Sequence, residues 1–335
     1  MISPSDLVVV TGAGGFIGGH LVRYLRERGC HRIRAVDIKP LALWYQRFED
    51  VENRVADLRL REACYAVTEG ARYVFNLAAD MGGMGFIATH KADCMLSVLI
   101  NTHMLLAASE LGVERFFFSS SACVYPGYRQ REAEVRPLRE EDAYPADAED
   151  GYGWEKLFSE RMCRHFAEER GLVTRVARYH NVYGPYGTFD GGREKAPAAI
   201  CRKVAQAVLS GRREIEIWGD GEQTRSFMYI DDCLFGTLRI MESSIDYPIN
   251  LGSSELVTIN RLVDLVEEIA GVRLHRRYDL SKPQGVRGRN SDNSRIRAEL
   301  GWEPSTPLRV GLEVTYRWIY DELAAGRCQS IYTAA

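Results

Sequence analysis

Tyr152-Gly153-Trp154-Glu155-Lys156 sets a phenol and an ammonium four residues apart, which in a helix is one face. With 17 Tyr in the chain and only six Lys among its 43 Lys+Arg, chance alone gives about 0.3 such pairs, so the spacing needs company before it means chemistry. The company is there. Ser119-Ser120-Ser121 puts hydroxyls at the end of an apolar run, and Ser121-Ala122-Cys123-Val124-Tyr125-Pro126 follows it with an ionisable thiol. The scarcity of lysine adds weight to each position that keeps one. Where nearly every exposed cation is Arg, a retained Lys is a candidate for losing a proton or presenting a compact ammonium. Lys156, Lys195 and Lys203 are three such candidates.

These side chains need a scaffold, and the first half of the chain supplies its rhythm. Short β-branched runs at Leu7 to Thr11, Arg32 to Asp37, Arg72 to Leu77 and Glu114 to Ser120 alternate with amphipathic stretches. A helix follows from Gly151 to Arg170, and a further strand from Leu172 to Tyr179. Such alternation predicts right-handed βαβ crossovers and a parallel sheet covered on both faces. Between the first strand and its helix stands Gly12-Ala13-Gly14-Gly15-Phe16-Ile17-Gly18. Glycines at that turn let a pyrophosphate rest on the helix N-terminus, with Gly12, Gly15, Phe16, Ile17 and Gly18 as the contact set. Asp37 closes the second strand where a carboxylate accepts from ribose hydroxyls, which favours NAD over NADP. Asp57 suits an adenine contact or, nearly as well, a helix N-cap.

The fold class that follows is α/β: a Rossmann-type, doubly wound parallel sheet over residues 1–180. After Asn181 come Gly/Pro-rich loops, a helix from about Pro197 to Ser210, short strands and three more helices. That second half, 181–326, reads as a smaller α+β substrate lobe partly interleaved with the first, with 327–335 as a tail. A net charge of −3 without a basic run gives no support for a nucleic-acid polymer as partner. The lack of about 18 consecutive apolar residues predicts no membrane span. Eight Cys without a CxxC pair or clustered His predict neither a disulfide framework nor a metal site. With no signal-like N-terminus, they read as reduced thiols in a cytoplasmic protein.

Taken together, the Gly-rich turn, the serines and the Tyr152/Lys156 pair resemble the extended short-chain dehydrogenase/reductase family, from about Leu7 to Leu323. That resemblance implies a bound NAD and a tyrosine whose acidity is raised by the lysine and the nicotinamide, with Ser121 bonding the same sugar oxygen. Members run different reactions on nucleotide sugars. Dehydratases carry Glu, preceded by Asp, at the position of Cys123, and 4-epimerases commonly Thr. Here Ala122-Cys123 offers a thiol and no acid for a leaving hydroxyl. The strings Ala78-Ala79-Asp80-Met81-Gly82-Gly83-Met84-Gly85-Phe86, Gly191-Gly192-Arg193-Glu194-Lys195-Ala196-Pro197 and Gly285-Val286-Arg287-Gly288-Arg289-Asn290-Ser291-Asp292-Asn293 look like the GDP-mannose 3,5-epimerase branch. The loop around Leu209 to Arg213 and the C-terminal tail depart from it.

The branch implies oxidation at C4, which acidifies the hydrogens on C3 and C5, then inversion by an acid/base pair, Cys123 and Lys195. A neighbouring lysine would lower the thiol pKa. GDP-L-galactose, GDP-L-gulose or both would result. It also implies nucleotide-sugar contacts from Gly82, Gly83, Asn181, Lys203, Gln223, Thr224, Arg225 and Arg289, the two arginines gripping phosphate bidentately, and a homodimer through the helices near 92–111 and 151–170. Two other readings stand beside it: a 4-epimerase or 4,6-dehydratase of the same family, and a non-catalytic NAD-binding regulator.

Overall fold

A computed structural model describes residues 1–327; the rest of the expected tail, Cys328 included, lies outside the described residues. Val8, Val9 and Val10 are fully buried and β-branched, and they form the central strand β1 (Leu7–Thr11). Helix α1 (Phe16–Glu27) returns the chain to β2 (Arg32–Asp37), and β3 (Glu52–Val55), α2 (Arg61–Thr68) and β4 (Tyr73–Asn76) complete the first half-sheet. Short α3 (Met84–Ile87), then α4 (Lys91–Met95) and α5 (Ser97–Glu110), lead to β5 (Arg115–Ser121), α6 (Asp150–Arg170) and β6 (Val173–Tyr179).

The remaining elements build the second lobe. They are β7 (Val182–Tyr183), α7 (Ala196–Ser210), β8 (Glu214–Trp218), β9 (Thr224–Ser226), β10 (Met228–Tyr229), α8 (Ile230–Glu242), β11 (Ile249–Leu251), β12 (Leu256–Thr258), α9 (Ile259–Ala270), β13 (His275–Asp279), β14 (Gly288–Arg289), α10 (Ser294–Leu300) and α11 (Leu308–Ala324). After α7 there are thus four helices among the described residues where the sequence pattern suggested three; the seven-residue α10 is too short to carry a periodic signal.

The main sheet is parallel, in the order β11-β6-β5-β4-β1-β2-β3. The order reverses between β1 and β4, so a crevice opens at the carboxyl ends of those strands, where ligands of doubly wound sheets bind. β11 belongs to this sheet although it lies in the second half of the chain. Its Asn250 is tied inward: Tyr125 donates to its Oδ1 at 2.6 Å, its Nδ2 donates to the Leu138 carbonyl at 2.8 Å, and its backbone N–H donates to Glu140 at 3.0 Å. A buried Arg178–Glu160 pair, with contacts of 2.7 and 2.9 Å, clamps β6 to α6 beneath it.

Judged by mean hydropathy rather than by an unbroken apolar run, the helical stretch Lys91–Glu110 is long and apolar enough to cross a membrane, the only such helix among the described residues. Its charges sit near its ends, at Lys91, Asp93 and Glu110, which leaves the middle uncharged. Here that middle packs on α2 and α6 and buries Asn101.

Candidate active site

β1 ends in the Gly-rich turn, and the geometry there needs glycine. Gly12 has φ +70°, and a Cβ on Gly18 would lie 2.1 Å from the Gly12 carbonyl oxygen. Asp37, at the end of β2, accepts from Gly14 N–H and from Lys39 N–H, each at 3.0 Å. Its carboxylate therefore faces the turn, as a ribose-binding acid must. Lys39, which the sequence reading passed over, turns its ammonium to the Gly14 carbonyl at 3.4 Å. Asp57 is held by Arg59, whose guanidinium and N–H both donate to it and keep its carboxyl below the usual range. It is not a helix cap, because the N-cap of α2 is Leu60. The cradle fits a dinucleotide: a tight turn, an exposed helix N-terminus and an acid at the ribose position.

Tyr152 and Lys156 lie on one face of α6, both buried, with the ammonium 5.5 Å from the Tyr152 ring centroid and 4.8 Å from that of Phe118. Burial holds the Tyr152 phenol well above its ordinary value, and the nearby thiol of Cys123 adds to this; Ser121, within hydrogen-bonding reach, works the other way. Lys156 has a neighbour that the sequence reading did not single out. The Glu155 carboxylate lies 3.7 Å from its ammonium through Oε2, which has no hydrogen bond, and accepts from Asn101 and Ser159 at Oε1. Asn101 continues through Asn76 to Thr11 at the mouth of the Gly-rich turn, with contacts of 2.7 and 2.8 Å. A buried polar chain thus runs from the dinucleotide cradle to Lys156. An acid next to Lys156 was visible in the sequence, but its partner Asn101 is 54 residues away.

The thiol joins the tyrosine because a glycine allows it. A Cβ on Gly153 would sit 2.3 Å from the Cys123 carbonyl oxygen, so only glycine lets α6 come this close. A glycine inside a helix costs ~1 kcal/mol against alanine, a cost that here secures the approach. Cys123 and Tyr152 share one small cluster with Phe86, Ile87 and Cys94.

Lys195, the residue before α7, is drawn into the same electrostatic field. Burial pushes its ammonium pKa down, and the charge of Cys123 is the largest influence that opposes this. No described residue gives its Nζ a hydrogen bond or an ion pair. Its loop is pinned by Arg193, which bonds Asp80 at 2.6 Å and lies 3.6 Å over the Phe86 ring.

Gly82 and Gly83 turn out to serve this pinning. Gly83 N–H donates to the Arg193 carbonyl at 2.9 Å, and a Cβ on Gly83 would meet the Glu194 carbonyl oxygen at 2.3 Å. A Cβ on Gly82 would meet Phe86 at 2.8 Å. The sequence reading had these glycines admitting a hexose; the structure adds that they admit the chain that carries Lys195. Gly83→Ala is therefore expected to displace Lys195 and lower turnover by ~10²-fold, the size of a misplacement near 1 Å, with dinucleotide content unchanged. Turnover beside the absorbance of retained cofactor checks it.

The remaining sequence candidates divide into two groups. Lys203 donates to the Glu216 carbonyl at 2.7 Å and Gln223 donates to the Trp218 carbonyl at 3.1 Å, both at the end of β8. Gln223 Oε1 is buried without a partner, an acceptor aimed at a missing donor. Asn181, at φ +42°, donates to the Ser226 carbonyl at 3.0 Å, and Thr224 donates to the Ala133 carbonyl at 2.5 Å.

Arg225 bonds only backbone carbonyls, of Thr224, Gln284 and Val286, and burial together with Arg289 lowers its pKa to about 10. Lys195, Lys203 and Arg225 are thus half-buried cations that no described carboxylate pairs. Such a set invites an anion. Arg289 differs from them in having side-chain partners: its guanidinium donates to Gln130, Cys123 and Glu149.

Residues 8–252 match the NAD dependent epimerase/dehydratase family. The chain is 45% identical over 325 residues to GDP-mannose 3,5-epimerase 1 of Oryza sativa subsp. japonica, covering 97% of this chain and 84% of that one. To GDP-mannose 3,5-epimerase of Arabidopsis thaliana it is 44% identical, covering 97% and 86%. Among solved structures, the UDP-glucose 4-epimerase of Thermotoga maritima with UDP-glucose superposes with a TM-score of 0.84 at 27% identity, over 94% of this chain and 99% of that one. The dinucleotide cradle, the Tyr152/Lys156 pair and these similarities converge: the chain belongs to the NAD-dependent epimerase/dehydratase family.

Proposed function

We propose that the protein is an NAD-dependent GDP-mannose 3,5-epimerase. The observation that carries this beyond the family is a second buried ionisable set beside the hydride-transfer tyrosine: the Cys123 thiol, and Lys195, on which that thiol's charge acts. A 4-epimerase has no use for such a pair, and a dehydratase needs an acid where this chain has Ala122 and Cys123.

NAD, held by Gly12, Gly15, Gly18 and Asp37, would supply reversible hydride transfer at C4 of the hexose. Tyr152 takes the proton of the C4 hydroxyl, Lys156 steadies the phenolate, and Ser121 holds the same oxygen. The resulting ketone makes the hydrogens on C3 and C5 acidic, because each carbanion is an enolate. Cys123 and Lys195 exchange those protons, one removing and the other delivering from the far face. Lys203, Gln223 and Arg225 bind the nucleotide diphosphate, their unpaired charge and Gln223's open acceptor supplying the complement to phosphate and base. GDP-L-galactose, GDP-L-gulose or both leave the site.

The protein works as a homodimer in this reading. Met95, Leu96 and Leu99 along the α4–α5 helix and Trp154 and Phe158 of α6 present exposed apolar side chains that a second copy would cover. The test of the function is incubation with GDP-mannose in heavy water followed by NMR. Deuterium is expected at C5, and at C3 to the extent that C3 inverts, without net NADH. A hexose that comes back with neither carbon labelled rules the reading out.

A further inference from the structure

Cys123 is surrounded more elaborately than an acid/base residue requires. Its carbonyl accepts from Glu149 N–H at 2.8 Å and its own N–H donates to Ser121 Oγ at 3.2 Å, so the backbone on both sides is fixed. The Arg289 guanidinium reaches Sγ at 3.5 Å, the Glu149 carboxylate at 2.7 Å and Gln130 Oε1 at 2.6 Å. Gln130 is itself oriented by its Nε2, which donates to the Tyr125 and Pro126 carbonyls, so the guanidinium has one place to lie. The charged and titratable groups facing the sulfur are Glu149 at the N-cap of α6, Tyr152 of α6, Cys94 of α4, Arg225 of β9, Arg289 of β14 and Lys195 at the head of α7.

We propose that Glu149 is a positioning residue for Cys123, acting both by its own contact with the thiol and through Arg289: it clamps the guanidinium against the sulfur and offsets its charge. The proposal rests on the reading of Cys123 as half of the epimerisation pair. Its consequence is a balanced sulfur. Burial and Glu149 hold the thiol up while Arg289 draws it down; Glu149, despite its own burial, is kept ionised by Arg289. When Cys123 acts as the acid, the S–H bond breaks, its electron pair stays on sulfur and the proton goes to the enolate carbon. The Arg289 N–H then bonds the thiolate. When it acts as the base, the same steps run backwards and no electron changes hands. An unopposed guanidinium would trap the sulfur as thiolate and slow its return to thiol. Lys195, which the sequence suggested as the thiol's tuning cation, is replaced in direct contact by Arg289.

The purified, NAD-loaded protein tests this without substrate. Cys123 thiolate is read from its ultraviolet absorbance against pH, as the difference from the same protein carrying Cys123→Ser. Glu149→Gln is expected to move the titration to lower pH by about one unit, so that about tenfold more thiolate is present at a pH below both midpoints. Arg289→Met is expected to move it upward, and Glu149→Asp to return it toward the starting value. A titration that Glu149→Gln leaves in place overturns the proposal. If that variant does not fold, Arg289→Met decides, and an unmoved midpoint there overturns it equally. With GDP-mannose, the acid limb of the C5-exchange profile is expected to move with the thiol. Failure of C5 exchange in the unaltered protein would strike the substrate reading and leave the titration result standing.

Discussion

Tyr152→Phe is expected to reduce turnover of GDP-mannose by ~10³-fold, within the 10²–10⁴ range that a positioned acid or base contributes, while NAD content and folding stay near those of the unaltered protein. The ring's packing among Cys123, Cys94, Phe86 and Ile87 survives the change, and only the hydroxyl is lost. The companion variant Lys156→Met gives the sign. Removing an ammonium 5.5 Å from the ring withdraws the charge that favours phenolate. Because burial already holds this phenol up, its pKa rises further and less of it is ionised at neutral pH. The acid limb of kcat/KM against pH is therefore expected to shift to higher pH, and activity to recover in part as pH is raised. A profile that falls uniformly without shifting would show that Lys156 acts by holding the cofactor alone. Glu155 has the opposite sign, since its charge raises the Tyr152 pKa.

Cys123→Ala and Lys195→Met are expected to separate the two halves of the reaction. Each removes one member of the inverting pair, and deuterium incorporation at C5 from heavy water falls by ~10³-fold, again the scale of one acid or base. Neither removes a group of the Tyr152/Lys156 pair, so reversible oxidation at C4 persists and reduced cofactor appears on mixing with GDP-mannose. The discriminating outcome is loss of exchange with retention of the hydride step. If both were lost together, Cys123 and Lys195 would be binding residues and the inversion would belong to other groups. The pH dependence again has a definite direction: burial lowers the Lys195 pKa, so the free amine is present from a lower pH than for an exposed lysine.

Much of this site was legible in the sequence because its parts are local. β1 and β2 run where the β-branched runs place them, and α6 starts one residue before the helical pattern does. Tyr152 and Lys156 meet through helical geometry alone, and Cys123 and Lys195 were found through long matched strings. The rest was hidden for one reason: it is non-local. Gly83 looks like a turn until the Glu194 carbonyl is seen 2.3 Å from its missing Cβ. Arg289 reads as a phosphate ligand, and nothing local shows that it also bonds Gln130 and Glu149, 159 and 140 residues away. The apolar stretch Lys91–Glu110 escaped because counting uninterrupted residues discards helices whose charges lie near the ends.

The return of β11 to the edge of the main sheet bears on how the molecule can be divided. A polypeptide stopped near residue 180 would keep the dinucleotide cradle but leave β6 with a bare hydrogen-bonding edge, an invitation to self-association. It would also strip Tyr125, Glu140 and the Leu138 carbonyl of the Asn250 groups that satisfy them. Cofactor domain and sugar domain therefore should not exist as separable modules that evolution or the bench can shuffle. They are expected to melt as one cooperative unit, and a graft that changes nucleotide-sugar preference would have to carry its own seventh strand.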